Sequence, residues 1–173
     1  MPFTRVSEIL EAQMQAWKSP PVFTGKLWIW QYRQPKQGWR GWHVSADGQG
    51  AQAFIALIDF LRNDHASYRT LPLEPVSEAL LRGIGYHQVC DRQVSKLRVA
   101  YSSELAGLEL VEEGNHLQLT IGAAGYVDLI ACLHRLACGE GDFVLHTDTK
   151  NGRICWHFWW PYAHKIMRLS ELR

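Results

Sequence analysis

Residues 116–161 limit the fold most tightly, because two hydrophobic periods follow one another there in a set order. HLQLTIG alternates: Leu117, Leu119 and Ile121 point one way, and His116, Gln118 and Thr120 the other. That is the pattern of a strand with one covered face. AAGYVDLIACLHRLACGEG then changes to helical spacing. Val127, Ile130, Leu133, Leu136 and Ala137 line its expected buried side, with Leu129 at the flank and Gly139 as the stop. Two extended runs, residues 142–148 and 153–160, flank Thr149-Lys150-Asn151-Gly152. Asn-Gly tolerates the positive φ of a type I′ turn, so the runs are expected to pair as a hairpin. This order of strand, helix and hairpin predicts an α+β fold, with an antiparallel or mixed sheet and helices packed mainly on one face.

The earlier part of the chain fits the same scheme. Residues 4–19 read as an amphipathic helix stopped by Ser19-Pro20-Pro21. Residues 22–33 and 39–47 read as strands joined by QPKQG, a turn sequence that predicts an antiparallel pair. Both faces of GKLWIWQYR are apolar, which places it centrally in a sheet or leaves a face for a partner. Residues 50–63 form the first core helix, with Phe54, Leu57, Ile58 and Leu61 inward. Residues 68–73 are a strand; a short helix opens at Glu74-Pro75 and stops at Gly83. Residues 94–101 and 108–113 are strands, the second turning at Glu113-Gly114-Asn115 into residues 116–121. Residues 162–173 read as a short terminal helix.

The two core helices align at an offset of 72, Phe54 to Leu61 against Tyr126 to Leu133. A glycine-containing loop leads into each from a strand, and a strand follows each. This suggests a tandem β-β-α-β duplication over residues 22–75 and 94–160, side by side on the sheet of a single domain spanning 1–173.

Composition excludes several classes. Lys plus Arg is 18 and Asp plus Glu is 17, a net charge of +1 with no basic block, so a dedicated nucleic-acid binder is not expected. No apolar run approaches the roughly 20 residues of a membrane-spanning helix, and the acidic N-terminus does not read as a signal peptide. Cys90, Cys132, Cys138 and Cys155 form no Cys-x-x-Cys pair, and reduced thiols in the cytoplasm are expected. Eight tryptophans are unusual: Trp28, Trp30, Trp39 and Trp42 cluster early and Trp156, Trp159 and Trp160 late, with Trp17 apart.

One constellation could carry chemistry. A two-residue turn at Asn151-Gly152 sets His146 opposite His157 and Asp148 opposite Cys155, on one side of the hairpin. Such a patch could bind zinc or copper, or hold an acid–base pair. His43 and Asp47, four apart on a strand, are about 13 Å apart at the backbone and act independently. Cys132 reads as a small buried hydrophobe that diverges from His134. Glu112-Glu113 and Glu140/Asp142 read as solvated turn charges. Gly48-Gln49-Gly50 and Gly122-Ala123-Ala124-Gly125 precede helices but lack a phosphate-loop pattern, so only a bare helix N-terminus offers an anion site. No cofactor is expected.

The stretch HLQLTIGAAGYVDLIACLHRLACGEGDFVLHTDTKNGRICWHF, residues 116–158, resembles a pattern of small bacterial immunity proteins of polymorphic toxin systems. The shared features are a strand and Gly, a Leu-Ile-x-x-Leu-x-x-Leu helix, a Gly-containing turn, a His-containing strand and a closing strand. The resemblance implies a non-enzymatic cytoplasmic protein that binds and blocks a cognate toxin. Such inhibitors often carry acidic surfaces against nuclease toxins, and the net charge of +1 departs from that. The pattern marks a scaffold, so no binding residues carry over. From the residues themselves the expected interface anchors are Trp28, Trp30, Trp156 and Trp159. The rival classes are a homodimer joined through these tryptophans and a small-ligand or metal-binding protein using His146, His157, Asp148 and Cys155.

Overall fold

The computed structural model describes residues 20–35, 37–64, 68–84, 89–141 and 143–161. The terminal helices expected at 4–19 and 162–173, and Asp142, lie outside these residues. Within them the chain runs β1 (Leu27–Tyr32), a 3-10 turn (Gln37–Trp39), β2 (Trp42–Ala46), α1 (Gly48–Asp64), β3 (Arg69–Pro72), α2 (Glu78–Ile84) and β4 (Cys90–Gln93). It continues through β5 (Lys96–Tyr101), β6 (Leu108–Glu113), β7 (His116–Ile121), α3 (Ala123–Ala137), β8 (Phe143–Thr149) and β9 (Gly152–Trp159). The nine described strands make one mixed sheet in the order β3-β5-β7-β6-β8-β9-β2-β1-β4. Three neighbours are parallel: β5 with β7, β6 with β8, and β2 with β9.

The sheet curls into a half-barrel. β4 and β5 lie near its opposite ends, yet only Val94 and Ser95 separate them in the chain. Backbone bonds from Leu73 N–H to the Ser95 carbonyl and from Glu74 N–H to the Leu27 carbonyl, each 2.9 Å, draw the ends together. Across the inside of the curl Arg92 of β4 pairs with Glu112 of β6. The Trp42 indole N–H donates to the same carboxylate at 3.1 Å, and the Arg92 guanidinium lies 5.5 Å from the Trp42 ring centre. Glu112 is therefore a structural anchor and not a free turn charge.

α1 and α3 fill the inner face. Phe54, Leu57, Ile58 and Leu61 are all buried there, against Leu97, Val99, Leu117, Leu119, Trp156 and Phe158. Full burial of such side chains contributes roughly 1.5–3 kcal/mol each. α1 begins earlier than expected because Asp47 caps it: its Oδ1 accepts from Gly50 N–H at 2.6 Å and Lys26 N–H at 2.9 Å. The two helices are tied by the Tyr126 hydroxyl, which donates to Asp59 at 2.7 Å.

α3 is turned from its expected face. Gly125, Leu129, Cys132, Leu133 and Leu136 are buried, while Val127 is 62% exposed. A Cβ on Gly125 would stand 2.5 Å from the Gly107 carbonyl oxygen, so this close approach sets the helix azimuth. α2 starts at Glu78 rather than at Glu74-Pro75, since the Ser77 hydroxyl caps it by accepting from Leu80 N–H at 3.1 Å. Gly83 lies inside that helix. β4 was not foreseen: CDRQ is a short polar edge strand without an apolar alternation.

The aligned stretches at offset 72 are both core helices, and each follows an antiparallel hairpin, β1–β2 or β6–β7. They are not side-by-side blocks. The strand after α1 pairs with β5 beside β7, whereas the hairpin after α3 pairs through β9 with β2.

Candidate functional site

Among the described residues, the sheet's second face is covered over only half its width. Over β1, β2 and β9 it is closed by α2, where Trp30, Tyr32, Leu81 and Trp159 form a second core with Trp28, Trp39, Val76, Leu80, Ile84 and Cys90 around it. This corrects the placement of the expected anchors. Trp30 is 0% exposed and Trp159 6% in this second core, Trp156 is 2% exposed in the main core, and only Trp28 is half-buried. The parallel β2–β9 pair makes β9 a central strand, so tryptophans on both its sides are covered.

Inside the closed half lies a pair of histidines. β2 and β9 set His43 beside His157, with rings stacked at 4.7 Å and 14°. The Trp159 indole N–H donates to His43 Nδ1 at 2.7 Å. Indole can only donate, so Nδ1 carries the lone pair and the proton is on Nε2, which donates to the Trp39 carbonyl at 3.0 Å. His157 Nε2 likewise donates to the Arg40 carbonyl at 3.1 Å. Burial pushes His43 down to about 4, with the neighbouring His157 adding to the shift and the bond to Trp39 opposing it. His157 is lowered as well, by burial first. Both rings are neutral and locked in one tautomer. Asp47 takes no part, as expected, since it caps α1.

Gly41 brings these strands together. It sits at φ +121, and a Cβ there would stand 2.2 Å from the Cys155 carbonyl oxygen. Any side chain would push β2 from β9.

The hairpin patch does not assemble. Thr149 pairs with Gly152, so Lys150 and Asn151 form the turn and the register slides by two from that expected. The Thr149 hydroxyl stabilises this turn, accepting from Asn151 N–H at 3.2 Å and donating to the Gly152 carbonyl at 2.6 Å. A slide of two keeps each residue's face but changes its partner. His146 now opposes Cys155, with Sγ and Nδ1 3.6 Å apart. Asp148 opposes and pairs with Arg153 at 3.4 Å, and His157 opposes Val144. With His157 buried and bonded to Arg40, the four residues form no ligand set, and no group of three or more His, Cys, Asp or Glu among the described residues could hold a metal.

The helix N-termini offer no anion site either. The amides of Gly122, Ala123, Ala124 and Gly125 donate to the Gly107, Leu105 and Ala106 carbonyls. At α1, Asp47 already occupies the corresponding position. Glu140 pairs with Arg135 at 3.0 Å.

The open half of the second face is the surface left for recognition. Strand pairing arranges its side chains in rows. Pro72, Lys96, His116 and Glu113 form one row; Thr70, Arg98, Gln118 and Val111 form the next; Ala100, Thr120, Glu109 and Asp148 form a third. A groove of about 420 Å³ runs over the first two rows, lined by Thr70, Lys96, Arg98, Glu113, His116, Leu117 and Gln118. The outward setting of His116, Gln118 and Thr120 follows from alternation. Their neighbours do not, because they depend on the parallel β5–β7 pair. Chemically the groove presents two basic side chains, one carboxylate, an imidazole, a hydroxyl and an amide.

No protein-family model, curated protein or solved structure matches the chain. No helix among the described residues is long and apolar enough to cross a membrane.

Proposed function

We propose that this chain is a non-catalytic binding protein that engages a partner protein through the open half of its sheet, across β3, β5, β7, β6 and β8. One observation carries the reading. Among the described residues, the same sheet face is packed against α2 over β1, β2 and β9, yet left uncovered over the other strands. There Val111 lies half-buried in the middle row beside Arg98, between a row that carries Lys96 and Glu113 and a row that carries Glu109 and Asp148. An apolar centre with a charged rim is the usual composition of a protein interface. The mixed charge favours a partner of mixed charge over a strongly basic one.

The narrower reading, a cytoplasmic immunity protein that neutralises a bacterial toxin, is supported by the resemblance of residues 116–158 alone. The equal hairpin–helix order and the 72-residue offset support reading the two halves as a duplicated unit. Native mass spectrometry of the protein purified gently from its host tests the binding reading. A stoichiometric second polypeptide that is lost in a Val111→Asp/Arg98→Glu variant with an unchanged circular dichroism spectrum is the expected result. A bare chain, or a partner that the variant retains, refutes it.

A further inference from the structure

Five ion pairs stand among the described residues, made by Arg33, Arg82, Arg92, Arg135 and Arg153. The two cations of the groove, Lys96 and Arg98, belong to none of them. They are two apart on β5, so both project to the open face about 7 Å from one another. Arg98 is already oriented: its guanidinium lies over the Tyr68 ring, 4.5 Å from the centre. Thr70 and Gln118 flank it on the adjacent strands, and His116 flanks Lys96. Glu113 closes the Lys96 row two strand spacings away, about 10 Å.

We infer that the groove is a binding site for a carboxylate-bearing ligand, whose carboxylate sits on Arg98 and Lys96 and whose far end carries an ammonium or another donor facing Glu113. The planar guanidinium fork matches a carboxylate in two parallel hydrogen bonds, and the neighbouring hydroxyl and amide can complete its lone pairs. Inorganic phosphate is a poorer match, because it is too small to carry a cationic far end to Glu113 and so meets that carboxylate only as a like charge. The inference deepens the reading above by naming what the open face recognises. It rests on that reading only in using the same face, and purified protein with small probes tests it without any partner.

The experiment is a calorimetric and NMR titration of the full chain with four probes: L-glutamate, glutarate, a Glu-Gly-Glu peptide capped at both ends, and inorganic phosphate. At least one carboxylate probe is expected to bind with Kd below about 1 mM. L-glutamate, which carries the ammonium, is expected to bind more tightly than glutarate. Arg98→Gln is expected to weaken binding at least about tenfold, and Arg153→Gln, which removes a paired arginine outside the groove, to leave it unchanged. If Arg98→Gln fails to fold, Lys96→Gln takes its place. Glutamate binding more tightly than the peptide assigns the site to a free amino or dicarboxylic acid, and the reverse order assigns it to an acidic side chain of a protein. Phosphate binding more tightly than every carboxylate, no binding by any probe, or affinity unaffected by Arg98→Gln overturns the inference. A partner captured by mass spectrometry while all four probes fail would sink this site and leave the protein-binding reading standing.

Discussion

Acid should loosen this fold through His43, at a pH where carboxylates are still ionised. In the unfolded chain His43 titrates near 6.5; in the folded chain burial holds it at about 4. Between those values the unfolded state binds more protons, so stability is fully present above pH 6.5 and is lost as pH falls toward 4. The loss from this residue is about 2 kcal/mol between pH 7.5 and pH 5, and about 3 kcal/mol once pH falls below 4. His157, shifted the same way, adds to it. The geometry explains the cost. A proton on Nδ1 would set two N–H groups against each other across the 2.7 Å contact with Trp159. The rings stacked on or edging His43 are Trp30, Tyr32, His157 and Trp159, none of which carries a carboxylate to balance an imidazolium.

The assay is urea unfolding followed by tryptophan fluorescence at pH 7.5, 6.5 and 5.0, for the wild type and His43→Gln. Gln removes the titration and can still pair with one of the two bonded groups, which costs about 1–2 kcal/mol at pH 7.5. The wild-type midpoint should fall by about 1 M urea between pH 7.5 and 5.0. The variant should fall much less, so that the two become nearly equal at pH 5.0. Equal pH slopes in the two proteins, or a flat wild-type profile, would refute the reasoning.

Three further outcomes follow from the packing. Gly41→Ala places a Cβ against the Cys155 carbonyl at positive φ. It should cost about 3 kcal/mol and lower Tm by about 6–12 °C in calorimetry; an unchanged Tm would show that β2 and β9 do not meet there. Asp47→Ala frees the Gly50 and Lys26 amides and should cost about 1–2 kcal/mol in the same urea assay, whereas a loss under about 0.3 kcal/mol would mean that water replaces the cap. The hairpin register is read by oxidation. His146→Cys should form a disulfide with Cys155, which it opposes directly. Asp148→Cys, the partner in the register expected from Asn151-Gly152, should keep its thiol; the reverse pattern in thiol titration would restore that register.

What the sequence reveals here is local, and what it hides is pairing at a distance. The α1 stripe of Phe54, Leu57, Ile58 and Leu61 and the hairpin around Gly114 follow from periods and turn chemistry within a few residues. The face of α3 does not, because the contact of Gly125 with Gly107 is tertiary and turns Val127 outward. The hairpin is found but its register slips, because the Thr149 hydroxyl moves the turn one residue back from Asn-Gly. Trp30, Trp156 and Trp159 look like interface anchors because the elements that cover them, β2 beside β9 and α2 over the second face, are remote in sequence. The histidine pair is invisible for the same reason. In the open groove the outward setting of His116 and Gln118 is legible, but the Thr70–Arg98–Gln118 row is not, since two separate strand pairings create it.

The β2–β9 seam also orders events during synthesis. Trp159 must reach His43 across 116 residues, which at 5–20 residues per second takes a ribosome about 6–23 s. For that interval β2 is an edge strand. WHVSA, buried along its whole length in the finished molecule, then offers open backbone donors and acceptors with a tryptophan beside them. Such an edge pairs readily with other chains. A nascent or shortened chain that lacks β9 is therefore not a smaller folded version of this protein. It keeps an open edge at β2 until the last described strand arrives to close the sheet.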